Sequence, residues 1–534
     1  MLNPDAIPDQ EFTEKMIAFL QIPDSYQHTP STVEIRQTHA SILAIAPPYV
    51  YKVKKHVNLG FMDFTSLESR KTNAEREIHL NSRLCPSLYL GVIPITSKEG
   101  KLSFNGGGTI VDYALQMYQL EDGYFLDQLL EKGQVDTAII ESIVAKLAGF
   151  YFTQHRTDAL QEYGSLANIR ANVLDNLKGI EAYATDATRK AVLSILHSYV
   201  NTFVAGQTAL FEKRMLEHRI KDCHGDLHLD HIHVKEDSIC IYDCIEFNDH
   251  FRYSDVAADI AFLAMDLDFH HRPDLAGYVS SRMAELLKDP DMEILMDFYK
   301  CYRACVRAKV AGIQSAEAKV SDEEKRKSLY QANQYLQLAL RYAVVGSAPM
   351  VLIVCGRVGT GKSTLAKKMA ESMSLFYIGS DAVRKQQAGL PLYSRTSPEK
   401  RNALYEQEVS KSVYHTLLQT ALEKVQHNQS LVLDATFSHQ AYRQPFIEAF
   451  AKHQIQYLFL EMQATDETIK QRLIQRENSR QEVSDARLED FERLSQSYQP
   501  LTEVSAPHRI QVNAGRDADH LLNEACEGMI KSRT

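Results

Sequence analysis

Residues 224–234 read HGDLHLDHIHV, which puts four histidines and two aspartates into eleven positions. Two chemistries compete for such a stretch. Three imidazoles, His224, His228 and His231, with a water would make a catalytic zinc site. Alternatively, an aspartate in a loop positions an attacking hydroxyl for phosphoryl transfer, and metal-holding residues follow at fixed distances. HIHV, the polar turn KEDS and ICIYD predict a hairpin of two short strands, with His231 and His233 on one face. The hairpin favours phosphoryl transfer. Asp226 then stands as the base, with His231 and Asp243 as the metal ligands before and after the hairpin. The same chemistry needs a lysine on a strand and a glutamate on a helix to hold the α- and β-phosphates. YVYK supplies Lys52 and AEREIHLNSRL supplies Glu77, although Lys54 and Glu75 compete for these roles from two positions away.

A second constellation lies far downstream. GRVGTGKST (Gly356, Arg357, Val358, Gly359, Thr360, Gly361, Lys362, Ser363, Thr364) matches G-x-x-x-x-G-K-[ST], directly after the apolar run VLIVC and directly before LAKKMAESM. Its glycines let backbone N–H groups turn inward around an anion at a helix N-terminus. Lys362 would reach the β- and γ-phosphates and Ser363 would hold Mg²⁺. SDAVRK places Asp381, a candidate proton acceptor, and Arg384, an anchor for an anionic substrate group, at the carboxyl edge of a sheet. Asp381 is equally suited to capping the next helix. LVLDATF ends in Asp434, placed to orient magnesium through water. Arg472, Arg476 and Arg480 recur every four residues, as a lid over phosphates or a solvated face would require, and SRQEVSD after them reads as a mobile loop.

The elements that must position these residues are legible in outline. VLIVC (351–355), SLFYIG (374–379), SLVLD (430–434), QYLFLE (456–461) and RIQVN (509–513) alternate with helical stretches, as a doubly wound parallel sheet requires. Upstream, YVYKVKK, LYLGVIPI and TIVDYALQM predict strands around one helix, while 137–222 and 254–342 are mainly helical in pattern. The expected division is a domain over 1–343, with a small lobe at about 30–117 and a helical lobe at about 118–343, a linker at 344–349, and a P-loop domain over 350–534. The fold class is therefore a multidomain α/β and α+β chain.

The downstream residues resemble the P-loop kinases related to polynucleotide 5′-kinase and the zeta-toxin family, over roughly 350–515. That resemblance implies Asp381 as base, Arg384 as a substrate contact and Arg472 or Arg476 as lid residues. YVYK, AERE, HGDLH and IYDCIEFN together resemble the aminoglycoside phosphotransferase-like kinases, over roughly 30–310. This implies a two-lobed kinase-like fold, a hinge near VDYALQM (111–117), and Asp255 and Asp259 as braces of the loop. Two departures stand out. His231 occupies the usual asparagine position, so either a softer ion such as Mn²⁺ is used in place of Mg²⁺ or the second metal is lost. The segment before Lys52, THASILAIAPP, where a nucleotide loop belongs, has no glycine pattern.

Together these readings predict an ATP- and Mg²⁺-dependent phosphotransferase with two sites, acting on hydroxyls of small-molecule or nucleotide-like acceptors. The alternatives are an ATP-hydrolysing regulatory protein with a pseudokinase first domain, and a polynucleotide 5′-hydroxyl kinase. A net charge of −10 argues against a nucleic-acid-coating protein and admits nucleic acid only at the P-loop domain. Eight scattered cysteines without C-x-x-C spacing argue against a disulfide framework, and Cys301 and Cys305 read as packed helix residues. No apolar run of membrane-spanning length occurs, so a cytoplasmic protein with no membrane partner is expected. His270 and His271 read as loop residues, and Arg303 and Arg307, one turn apart, as a salt-bridged face or a contact to the first site's substrate.

Overall fold

Alternation of side chains along one strand decides where the first lysines point. In a computed structural model, which describes residues 10–60, 62–154, 157–316, 321–394, 396–477, 483–514 and 517–533, an antiparallel sheet has the order β1-β2-β3-β6-β4-β5. Its strands are β1 (Glu34–Gln37), β2 (Ser41–Ala46), β3 (Tyr49–Lys54), β4 (Tyr89–Lys98), β5 (Lys101–Phe104) and β6 (Thr109–Tyr118). Tyr51 and Val53 of β3 pack with Ile42, Ala44 and Ala46 against Met16, Phe19 and Leu20 of the helix Gln10–Leu20. With a period of two, Lys52 and Lys54 must take the other face. Much of THASILAIAPP is strand β2, because Ile42, Ala44 and Ala46 supply a buried stripe at strand spacing; 38–40 lead into it and Pro47–Pro48 make the turn to β3. The helix Leu67–Asn81, capped by Ser66, carries Glu77 on its buried side.

Short strands follow: β7 (Ile220–Asp222), β8 (Ile232–Lys235), β9 (Ser238–Ile241) and β10 (Tyr253–Asp255). The predicted hairpin is present as β8 and β9, paired from Ile232↔Ile241 to Lys235↔Ser238. His231 does not share a strand face with His233, however. It ends a 3-10 turn, Leu229–His231, while the His233 ring bonds the Glu121 carbonyl. The helix Val256–Phe269 is buried almost throughout.

The second sheet has strands β11 (Met350–Gly356), β12 (Phe376–Gly379), β13 (Leu431–Asp434), β14 (Gln456–Gln463) and β15 (Arg509–Asn513). All neighbours in the order β12-β13-β11-β14-β15 are parallel. Central β11 is buried at every position, which explains its uninterrupted apolar sequence. Each strand expected from the C-terminal sequence is present, with ends shifted by a residue or two.

The chain forms two compact units, Met1–Asn168 with Ala209–Met296, and Ile169–Thr208 with Asp297–Thr534. The expected boundary at 344–349 falls inside the second unit. The helix Ala187–Gly206 packs on Asp322–Val344 and on Ala518–Arg533, and Ser347 donates to Asp297. An amphipathic pattern reports that a helix has a buried face, not which partner covers it.

One further difference concerns cysteine: Cys85 and Cys240 form a disulfide, 155 residues apart in sequence, joining the segment after Leu67–Asn81 to β9. No local spacing announces such a pair. Cys301 and Cys305 are buried in the helix Met292–Ser315, as expected. Among the described residues no helix is long and apolar enough to cross a membrane.

Candidate active sites

In the first unit, β3 and the Glu77 helix meet the segment after β9. Lys52 Nζ donates to Glu77 Oε1 and to Asp243 Oδ1, both at 2.9 Å. Lys54 Nζ donates to Glu77 Oε2 at 2.9 Å and to Glu246. Both lysines therefore use Glu77, one carboxylate oxygen each, whereas Glu75 makes only a long 3.8 Å pair with Lys71 at the surface. Burial alone would push the Lys52 ammonium down, but Asp243 and Glu77 hold it well above its ordinary value. Burial likewise opposes ionisation of Asp243, and Lys52 more than reverses that, keeping its carboxyl far below the usual range. Glu246 differs: burial raises it despite Lys54. Asp243 also sits at φ +61°, a left-handed conformation uncommon for a non-glycine residue.

The HGDLH loop is held from beneath. Asp259 accepts from the His224 and Gly225 amides at 2.9 Å each and from the Tyr151 hydroxyl at 2.8 Å. Asp266 accepts from the Leu229 amide at 2.9 Å. Asp259 thus braces the loop, as expected; Asp255 instead caps its helix and takes a bidentate bond from buried Arg214. His231 Nδ1 lies 2.9 Å from the Asp226 carbonyl, and its Nε2 lies 3.5 Å from Asp243 Oδ2. Asp226, His231 and Asp243 are therefore together. His224 is not with them: its Nε2 bonds the Tyr242 carbonyl at 2.9 Å, so the three-histidine zinc set does not form. One ligand atom each from Asp226, His228 and His231 do lie within 4.8 Å of one another.

In the second unit, the loop after β11 turns on Gly356, Gly359 and Gly361, at φ +133°, +76° and +97°. A Cβ at Gly356 would sit 2.5 Å from the Met462 carbonyl oxygen of neighbouring β14, so this position takes only glycine. Lys362 Nζ donates to the Arg357 carbonyl at 2.9 Å across the loop. Burial pushes its ammonium down, opposed by Asp434 and helped by Arg476. Asp434 ends β13, buried, and accepts from Tyr377 at 2.9 Å; burial raises its carboxyl, while the Ser363 hydroxyl and Lys362 pull it back. Lys362, Ser363 and Asp434 are thus brought together, with Tyr377 as an addition.

Asp381 stands at the start of the helix Ser380–Gln387, where Arg384 Nη1 donates to it at 3.0 Å and Tyr405 at 3.1 Å. The Arg384 guanidinium lies over the Tyr405 ring at 4.3 Å. Lys385 is turned away, donating to the Leu392 and Ser394 carbonyls. Arg472 departs from the lid expectation. Its guanidinium donates to the carbonyls of Thr360 and Ala514, bracing the glycine-rich loop rather than closing over it. Arg476 lies on the same helix, Asp466–Glu477, within electrostatic reach of Lys362; Arg480 and most of SRQEVSD lie outside the described residues. Arg303 and Arg307 belong to this second unit, where they lie over the Tyr302 and Tyr335 rings.

The AAA domain family matches residues 351–501, the segment that carries this loop and β11 to β14. Over a longer stretch, the uncharacterized protein Rv2004c of Mycobacterium tuberculosis (strain ATCC 25618 / H37Rv) is 30% identical across 407 residues, 76% of this chain and 78% of that one. The uncharacterized protein Mb2027c of Mycobacterium bovis (strain ATCC BAA-935 / AF2122/97) matches with the same values. The chain belongs to their family. Among solved structures, a Plasmodium vivax ethanolamine kinase covers 58% of this chain and 82% of its own at 12% identity and a TM-score of 0.33. A gluconokinase from Sinorhizobium meliloti 1021 covers 34% and 93% at 16% identity and a TM-score of 0.26. Likenesses this distant carry no functional weight here.

Several residues of this family member's sites escaped sequence reading. Glu246 stands three residues after Asp243 in IYDCIEFN, and that acidic spacing was the available signal. Tyr377 and Tyr405 had none, because a tyrosine in a strand or helix ordinarily packs a core. Arg472 looked like a lid residue because a four-residue recurrence fixes a helix face but not what faces it.

Proposed function

We propose that the protein is an ATP-dependent phosphotransferase with a nucleotide site in each unit, transferring the γ-phosphoryl group to a hydroxyl of a small-molecule or nucleotide-like acceptor. The observation that carries this reading is the convergence of Lys362, Ser363 and Asp434 at the mouth of a glycine-rich loop between β11 and its helix. The donors fit a magnesium triphosphate: loop amides, an ammonium, a hydroxyl and a carboxylate, all hard groups. When bound, the magnesium ion neutralises charge on the phosphate oxygens.

Within the second unit, Lys362 leaves its carbonyl partner for the phosphates, which restores its desolvated ammonium. Arg472 keeps the loop in shape, and Arg476 adds positive charge. Asp381 takes the acceptor's proton, and Arg384 with Tyr405 fixes its carboxylate and reads an anionic substituent. In the first unit, Lys52 would be held by Glu77 against the phosphates, Asp226 would accept the proton, and Asp243 with His231 would hold a divalent ion, manganese suiting the imidazole better than magnesium. Resemblance of HGDLH and IYDCIEFN to the aminoglycoside phosphotransferase-like kinases supports this second assignment.

A regulatory reading, with an inactive first unit, is favoured by His231 in the asparagine position and by the lack of glycine in the segment before Lys52. Equilibrium binding of ATP with magnesium and manganese separates the two. The phosphotransferase reading expects two ATP per chain, Lys362→Ala removing one and Lys52→Ala the other. A single ATP that only Lys362→Ala removes would support the regulatory reading instead.

A further inference from the structure

The cluster in the loop between β7 and β8 contains more imidazole than phosphoryl transfer uses. His228 Nε2 lies 3.4 Å from Asp226 Oδ2, and the His228 and His231 rings are 3.9 Å apart at their centroids. His231 has its Nδ1 on the Asp226 carbonyl at 2.9 Å, which fixes the tautomer and leaves the Nε2 lone pair pointing toward Asp243, 3.5 Å away. On the other ring, Asp230 Oδ2 stands 3.7 Å from His228 Nδ1, on the side away from Asp226. His228 thus presents Nε2 to Asp226 with the Asp230 carboxylate 3.7 Å behind its other nitrogen, near the place from which carboxylates orient metal-ligating imidazoles.

We propose that Asp226, His228 and His231 form a binding site for a zinc-class divalent ion. Two imidazoles and one carboxylate are the donors of borderline first-row ions, and magnesium, which demands oxygen, is a poor match. Ligand bonds of about 2.0–2.2 Å in a tetrahedron set neighbouring ligand atoms roughly 3.3–3.6 Å apart. The 3.4 Å between Asp226 Oδ2 and His228 Nε2 already meets that spacing, and one ligand atom from each of the three residues lies within 4.8 Å of the others. His228 is buried at 4% side-chain exposure, while Asp226 at 34% leaves an open side for entry and for a water. The ion occupies Asp226 and thereby removes it from service as a base, so it competes with the nucleotide metal at His231. The site goes beyond the phosphotransfer reading and stands independently of it.

The test uses untagged full-length protein stripped with a chelator, equilibrated with Co²⁺ or Zn²⁺, freed of loose ion by gel filtration and analysed for metal content, with the visible spectrum of the Co²⁺ form recorded. The proposal expects one retained ion per chain with a low-coordinate Co²⁺ spectrum, loss of both in His228→Asn, and no change in Lys362→Ala. Asp230→Asn, at an exposed position, is expected to keep the fold and weaken affinity by roughly 10–100-fold. If His228→Asn loses its far-ultraviolet signature, Asp230→Asn decides. No retained ion, retention equal in all variants, or loss only with Lys362→Ala overturns the proposal.

Discussion

At the scale of residues, the sites depend on side chains whose charges are balanced by those of their neighbours. Asp259 shows how far this goes. It is fully buried, and it satisfies two loop amides and a tyrosine hydroxyl. Asp259→Ala orphans those donors and is expected to destabilise the first unit by about 2–5 kcal/mol in urea unfolding; a change within error of zero would show that the loop is held elsewhere. Asp381→Asn leaves the P-loop untouched and is expected to lower turnover at that site by roughly 10²–10⁴-fold while ATP binding is unchanged. Equal loss of binding and turnover would reassign Asp381 to structure. Cys244, beside Asp243, has its thiol pushed up to about 12 by burial, so it is expected to resist alkylation in the native protein and react once unfolded. Much of this level was readable. Lys52, Glu77, Asp226, Asp243, Lys362 and Asp434 were all singled out as candidates by their motifs, and the structure groups them within their units. Glu246, Tyr377 and Tyr405 were not, since they arrive through tertiary contact.

At the scale of elements, strands were easier to read than the partners of helices. Strands β11 and β13 are buried at every position and β14 through its centre, so their apolar runs have only one way to be satisfied. Strands β1 and β5 lacked such runs and were missed, whereas β2, SILAIA, has one and was read as the place of a nucleotide loop. Buried Arg443 illustrates a tie that no pattern announces: it donates to Glu503 and to the carbonyls of Phe437, Gln499 and Pro500, fastening the helix Gln440–Lys452 to the segment before β15. Burial pushes the Glu503 carboxyl up, but its hydrogen bonds from Arg443 leave it below the ordinary 4.5. As pH falls, the unfolded chain therefore takes up the proton first. The stabilisation is complete above 4.5 and is lost as pH drops through the lower folded value. Glu503→Gln is expected to lower the urea midpoint at neutral pH and to converge on wild type in acid. A difference that does not depend on pH would contradict the pairing.

At the scale of the whole molecule, length implied two or three domains, and the chain packs as two compact units whose bounds differ from the expected division at 344–349. The residues 169–208 and 297–343 read as part of the first domain because they lie within or directly after it in sequence, yet they pack in the second unit. Only burial of specific faces, such as Tyr199 and Phe203 against Phe298, records that choice. Each unit nonetheless keeps its own constellation intact, and the central claim is that both transfer phosphoryl groups. The direct measurement is transfer from γ-labelled ATP into a cellular metabolite extract with magnesium and manganese, comparing wild type, Asp226→Ala and Lys362→Ala, with products separated by mass. Two labelled products are expected, one lost with each substitution. If Lys362→Ala abolishes all labelling and Asp226→Ala changes none, the first unit transfers nothing and the two-site account is wrong.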